Sequence, residues 1–129
     1  MEWSFRGDLP IYTQLVEQMT QAILSGTFAP GARLPAVREL AAQAGVNPNT
    51  MQRAMTELEQ GGLIFSQRTS GRFVTEDESV IGEARRRLAR QQAEAFWDAM
   101  AHLGYDRAQA LQLLTEYDKK EEEDNRWHF

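Results

Sequence analysis

Between Gly31 and Val74 the chain reads GARLPAVRELAAQAGVNPNTMQRAMTELEQGGLIFSQRTSGRFV, and this stretch leaves few folds open. Val37, Leu40, Ala41 and Ala44 recur at helical spacing from a start near Ala36, while Arg38, Glu39 and Gln43 fall on the opposite face. Gly45 tolerates the left-handed conformation that ends a helix and turns the chain sharply. Asn47 is a good N-cap, Pro48 suits a first helical position, and a residue before proline avoids the helical region. The spacing therefore predicts two short helices with a tight turn between them, not one long helix. Met51, Ala54, Met55 and Leu58 mark the inner face of the second, and Gly61-Gly62 stops it. Leu63-Ile64-Phe65 and Arg72-Phe73-Val74 are β-prone, and Ser66 to Gly71 reads as the hairpin loop joining them, with Gly71 near the tip.

The outer face of that second helix carries Asn49, Gln52, Arg53 and Thr56, spaced i, i+3, i+4, i+7. An amide can pair with adenine N6 and N7, and an arginine with guanine O6 and N7. The helix N-terminus favours a nearby phosphate. Arg38 is placed to reach a phosphate or a guanine at the groove edge. Arg68, Thr69, Ser70 and Arg72 suit a phosphate or minor-groove contact, and Gly71 permits close backbone approach. Each residue has a plainer meaning: Asn47 a cap, Asn49 and Gln52 surface amides, Arg38 the partner of a carboxylate, Gly71 a turn, Met51 and Met55 core packing. Their conjunction on a helix-turn-helix-hairpin frame is what a winged helix-turn-helix needs to press one helix into the major groove of DNA.

A chain of 129 residues holds one domain, or a small one with an appendage. Upstream, Leu9-Pro10-Ile11-Tyr12 opens a first helix whose apolar face is Leu15, Val16, Met19, Ile23 and Leu24, with Gly26 placed to stop it and Thr27 to Leu34 a turn-rich connector. Downstream, Glu76-Asp77-Glu78-Ser79 reads as a linker. A long helix from about Ser79 to Leu103 carries Ile81, Ala84, Leu88, Ala95, Ala99 and Leu103 at near-heptad spacing. Gly104 stops it, Asp106 caps a last helix with Leu111 and Leu114, and an acidic run precedes the aromatic end 127–129. The fold expected is mainly α: an N-terminal winged helix-turn-helix of three helices and a two-stranded wing over residues 1–76, then a two-helix tail over 77–129.

The net charge of −5 looks wrong for a nucleic-acid binder, but its distribution matters more. Residues 1–75 hold six arginines and six acids; residues 76–129 hold eight basic and thirteen acidic residues. The expected reading head is thus neutral, with local arginines where phosphates would lie. There is no cysteine, which rules out disulfides and thiol catalysis and fits a reducing cytoplasm. The start lacks a signal-peptide pattern, and no stretch has the length of a membrane span. With two histidines, no metal-ligand spacing, no phosphate loop and no nucleophile motif, an enzyme, a metal site and a cofactor are not expected.

Taken in order, Pro10-Ile11-Tyr12, Gly31 with Leu34 to Ala41, Val46 to Thr50, Arg53-Ala54, Leu58-Glu59, Gly62-Leu63-Ile64 and Gly71 to Val74 resemble the GntR family of bacterial transcription regulators. The short tail is similar to the YtrA-type subfamily, whose members lack a large effector domain. The resemblance implies a dimeric repressor of a palindromic operator, often near transporter genes. It also implies DNA contacts at Arg38, Asn47, Asn49, Thr50, Gln52 and Arg53, and on the wing at Arg68, Thr69, Ser70 and Gly71. Two departures stand out. Ala36 replaces a frequent serine that would form a capping box with Glu39, and Ser70 stands where the family's wing commonly has glycine.

Two helices of the tail's size cannot enclose a drug-sized pocket, but they can bury apolar stripes against a second copy. Residues 79–118 are read as a homodimerisation module using Leu88, Ala95, Ala99, Leu103, Leu111 and Leu114; the alternative is packing on the chain's own winged domain. Arg85-Arg86-Arg87 with Arg90 is a solvated face, a partner for the acidic run, or a DNA contact. The function expected is sequence-specific binding of double-stranded DNA by a cytoplasmic repressor, with an unidentified small-molecule effector allowed. A winged helix that binds protein instead of DNA is the rival, and apolar or acidic groups on the outer helix face would favour it.

Overall fold

The structure, a computed structural model, describes residues 1–126. The aromatic end at 127–129 lies outside the described residues. Five helices and one hairpin follow in the order α1 (Ile11–Leu24), α2 (Val37–Ala44), α3 (Pro48–Gln60), β1 (Ile64–Gln67), β2 (Gly71–Val74), α4 (Glu78–His102) and α5 (Arg107–Arg126). The chain divides into two compact units, Met1–Arg85 and the residues from Arg86 onward.

The first unit is built on the periodicities read above. Leu15, Met19 and Ile23 of α1, Leu40 and Ala41 of α2, and Met51, Ala54, Met55 and Leu58 of α3 are buried in one cluster with Leu34, Leu63, Ile64 and Val74. Pro10 stands outside α1 as its N-cap, with φ −56° and ψ 140°, not in its first turn as expected. Its extended ψ and its missing N–H both suit a position just before the helix. At the turn between α2 and α3, Gly45 takes φ 70°, and the Val46 N–H closes back onto the Ala41 carbonyl at 3.0 Å. Asn47 then holds ψ at 134°, and its Oδ1 accepts from the Asn49 N–H at 2.8 Å.

The hairpin is longer in its strands and tighter in its turn than expected. β1 and β2 pair antiparallel with Phe65 opposite Phe73, Ser66 opposite Arg72 and Gln67 opposite Gly71. Only Arg68, Thr69 and Ser70 remain for the turn, closed by the Ser70 N–H on the Gln67 carbonyl at 3.2 Å. Gly71 is therefore the first residue of β2 and not the tip. The segment read as a connector also supplies a third edge. Leu34 N–H donates to Arg72 O at 2.8 Å, Val74 N–H to Ala32 O at 2.9 Å, and Gly31 N–H to Val74 O at 3.0 Å. β2 is thus hydrogen-bonded on both sides, which ties the wing's root to the segment leading into α2.

The stretch read as a linker is the start of α4. Asp77 Oδ1 accepts from the Ser79 N–H at 2.9 Å, and the helix begins at Glu78. The first turns of α4 then complete the core of the first unit: Ala84 joins the buried cluster and Val80 packs against it. That is why this unit runs to Arg85, past the break expected at residue 76. Arg85 donates to the Leu24 carbonyl at the end of α1, at 3.2 Å, so this arginine of the basic run serves the fold.

In the second unit Gly104 takes φ 89° at the end of α4. Asp106 and Gln109 form a reciprocal cap at the start of α5, with bonds of 2.8 and 2.9 Å. Ala110 is fully buried, Phe96 and Trp97 pack at 5.4 Å, and the Arg107 guanidinium lies 5.5 Å from the Trp97 ring. Leu103, Leu111, Leu113, Leu114 and Tyr117 remain exposed, Leu103 to 70%. Among the residues expected at a dimer interface, Ala95 and Ala99 are also exposed, and Leu88 is half-buried.

Candidate nucleic-acid interface

Burial of Met51, Ala54, Met55 and Leu58 forces the other flank of α3 outward. Asn49, Gln52, Arg53 and Thr56 are exposed there, and Thr50 is half-buried beside them. The cap uses the Asn49 backbone N–H and leaves its side-chain amide free. The Asn47 Oδ1 accepts that bond, and its Nδ2 donor pair points to no partner among the described residues. Gln52 is held lightly: its Nε2 lies 3.4 Å from Thr56 Oγ1, while that hydroxyl donates to the Gln52 carbonyl at 3.0 Å. Arg53 lies over the Tyr12 ring of α1, with its guanidinium carbon 3.8 Å from the ring centroid.

The wing presents Arg68, Thr69 and Ser70 to solvent. Gly71 has φ 100°, and a Cβ built there would sit 3.2 Å from Arg33 Nε. The close approach that this glycine permits is therefore made by the chain's own Arg33. Arg72 does not stand free with Arg68, the other wing arginine, as the sequence suggested. Its Nε donates to Glu59 Oε1 at 2.6 Å, and the Ser66 hydroxyl donates to the same oxygen. The register that sets Ser66 opposite Arg72 aims both at the last turn of α3. The Ser66 hydrogen bond chiefly, and the Arg72 bond and charge after it, hold the Glu59 carboxyl below the usual carboxylate range against the opposing effect of burial.

The positive groups left over mark the candidate interface. Among the described residues Arg33, Arg38, Arg53 and Arg68 form no ion pair. Arg33 and Arg38 line one groove with Leu34 to Val37, Gly71 and Arg72, so the wing's root and the start of α2 share a basic surface. Arg38 stands at that start, where the N-cap Ala36 makes no side-chain hydrogen bond. The arrangement has unpaired cations for phosphates and free amides for base edges, without a carboxylate on the outer face of α3 before Glu57. Among the described residues no cluster of histidine, cysteine or acidic side chains could hold a metal ion, and no helix is long and apolar enough to cross a membrane.

Known proteins carry the same frame. Residues 11–74 match the description of bacterial regulatory proteins of the gntR family. The HTH-type transcriptional repressor YtrA of Bacillus subtilis is 38% identical over 88 residues, spanning 67% of this chain and 68% of YtrA. A GntR family transcriptional regulator from Listeria monocytogenes superposes with a TM-score of 0.80 at 36% identity, over 87% of this chain and 98% of that one. The chain belongs to the GntR family. It is a DNA-binding transcriptional regulator, and the fold is the winged helix-turn-helix followed by a helical tail. AraR(DBD) in complex with operator ORX1 aligns at 32% identity and TM-score 0.53 over 58% of this chain and 96% of that one.

Three residues of this GntR regulator's site escaped the sequence reading. Tyr12 had no visible role beyond opening α1, since nothing in the helical period says which ring meets an arginine across two helices. Arg33 was hidden in a segment taken for a turn; the alternation of Ala32, Arg33 and Leu34 was the available sign of an edge strand. Glu59 entered only as part of the Leu58-Glu59 resemblance, because its partners lie on the hairpin, seven and thirteen positions further on.

Proposed function

We propose that this GntR-family regulator is a homodimeric repressor of the YtrA type that binds a palindromic operator and acts in the cytoplasm. The observation that carries the DNA reading is the exposed flank of α3, where Asn49, Gln52 and Arg53 are all accessible and Arg53 forms no ion pair among the described residues. Asn49 and Gln52 read adenine edges, Arg53 and Arg38 meet guanine or phosphate, and Arg68, Thr69 and Ser70 hold the backbone at the wing. Thr50 and the Asn47 amide meet the phosphate beside the N-terminus of α3, and Gly71 and Arg33 shape the wing that carries its turn. The apolar side chains exposed on α4 and α5 support self-association, with Leu88, Ala95, Ala99, Leu103, Leu111 and Leu114 in the contact. Two copies would set their recognition helices ~34–36 Å apart in successive major grooves and occlude a promoter. That the relative YtrA is named a repressor supports repression, and the target is the operon beside the regulator's own gene.

A fluorescence titration tests this with duplexes enriched by the purified protein from a pool with a randomised centre. The enriched sequence should be an inverted repeat, and affinity for it should fall steeply as salt rises, since each phosphate contact releases counterions. No enrichment, or binding indifferent to salt, contradicts the proposal.

A further inference from the structure

The Arg53 guanidinium has a choice of neighbours. Glu57 stands four positions along the same helix, a spacing that ordinarily lets an arginine and a glutamate meet. Both line one shallow groove with Tyr12, Thr56 and Gln60. Yet no ion pair joins them, and the guanidinium carbon sits 3.8 Å from the centroid of the Tyr12 ring. Tyr12 is half-buried at the start of α1, whereas Arg53 is exposed. The two partners would leave the arginine with different capacities. A carboxylate takes the N–H edge of the guanidinium, which is the edge that reads guanine or grips a phosphate. An aromatic ring takes the flat face and leaves all five N–H donors in the plane of the edge.

We propose that Tyr12 is a positioning residue for DNA recognition: its ring holds Arg53 away from Glu57 and keeps the guanidinium edge open for the duplex. This rests on the reading of Arg53 as a DNA contact. The ring does work that a bulky apolar residue of similar size does not, because the attraction is to the face of the π system. Without it Arg53 is free to fold onto Glu57, and the duplex must then break that pair.

The test is a double-mutant cycle on the duplex that the wild-type protein enriches from a pool with a randomised centre. Affinities are measured for the wild type, Arg53→Ala, Tyr12→Leu, Tyr12→Phe and the Tyr12→Leu/Arg53→Ala pair. Arg53→Ala is expected to weaken binding about five- to a hundredfold. Tyr12→Leu should weaken it about two- to thirtyfold, and Tyr12→Phe should restore nearly wild-type affinity. In the Arg53→Ala background Tyr12→Leu should cost nothing further. A Tyr12→Leu loss of equal size in both backgrounds means damage to the fold and overturns the proposal, as does wild-type affinity in Tyr12→Leu when Arg53→Ala binds weakly. If Arg53→Ala itself binds as the wild type does, the assignment of Arg53 falls, and this inference with it. If no duplex is enriched, the DNA-reading proposal falls first.

Discussion

Glu59 shows how one carboxylate can fasten a hairpin to a helix. It sits at the end of α3 and receives Ser66 from β1 and Arg72 from β2. Both strands of the wing are thereby fastened to α3. Replacing it, as Glu59→Gln, should cost on the order of 1 kcal/mol of stability, because the side chains are only partly shielded from water. Thermal unfolding measures this, and an unchanged midpoint would show the bonds to be incidental. The pH dependence follows from the lowered pKa. The folded carboxyl titrates below the unfolded one, so its contribution is fully present above the unfolded value. It is lost as pH falls through the usual carboxylate range and below it. The difference in stability between wild type and Glu59→Gln should therefore shrink on acidification and be constant near neutrality. Gly71 is a second constrained position of the wing. With φ 100° and Arg33 Nε 3.2 Å from any added Cβ, Gly71→Ala is strained in backbone and crowded in packing. It should destabilise the protein by about 1–2 kcal/mol in a denaturant titration, and an alanine accepted without loss would contradict that geometry.

At the level of elements, the helices declared themselves in the sequence because their signals are local. Gly45, Asn47 and Pro48 act on their own neighbours, and the structure places the turn of the helix-turn-helix where they specify it. The cap is testable in the same terms. Asn47→Ala should cost about 1 kcal/mol and Asn47→Asp little, with amide hydrogen exchange rising in the first turn of α3 only for the alanine. Met51→Ala, by contrast, opens the core under that helix and should cost about 2–5 kcal/mol. What the sequence concealed was long-range pairing. The third edge of the wing sheet needs residues 31–34 to meet β2 some forty positions later, and three main-chain hydrogen bonds carry it with only the brief alternation of Ala32, Arg33 and Leu34 as a side-chain sign. The hairpin's turn was read too long because Ser66 looks like a loop residue until Arg72 and Glu59 are beside it. Asp77 looks like part of an acidic linker for the same reason: a cap and a charge run share residue types, and only the half-buried Val80 and the buried Ala84 behind it decide between them. The outer flank of α3 was legible, because a helix with four buried positions on one side has only one other side to show. The chemistry that tunes it, from Tyr12, Arg33 and Glu59, was not.

For the whole molecule, affinity and symmetry are linked. The first unit carries few free cations, so a single copy should hold DNA weakly, and two copies on one duplex should multiply the contacts. Leu103, Leu111 and Leu114 are the exposed apolar groups that a second copy would cover. Light scattering at micromolar concentration should give twice the chain mass. Leu111→Glu/Leu114→Glu should give a monomer that keeps its helical signal but binds the enriched duplex at least about tenfold more weakly. A wild-type monomer would remove the tail's proposed role. The claim beneath all of this is that the exposed flank of α3 discriminates bases. Its most direct test is the ratio of affinities for the enriched duplex and a scrambled one, at one fixed salt concentration, for wild type and Asn49→Ala/Gln52→Ala. The ratio should be large for the wild type and fall by about ten- to a thousandfold in the variant, while weak, salt-sensitive binding to both duplexes persists. An undiminished ratio in a folded variant would contradict the account.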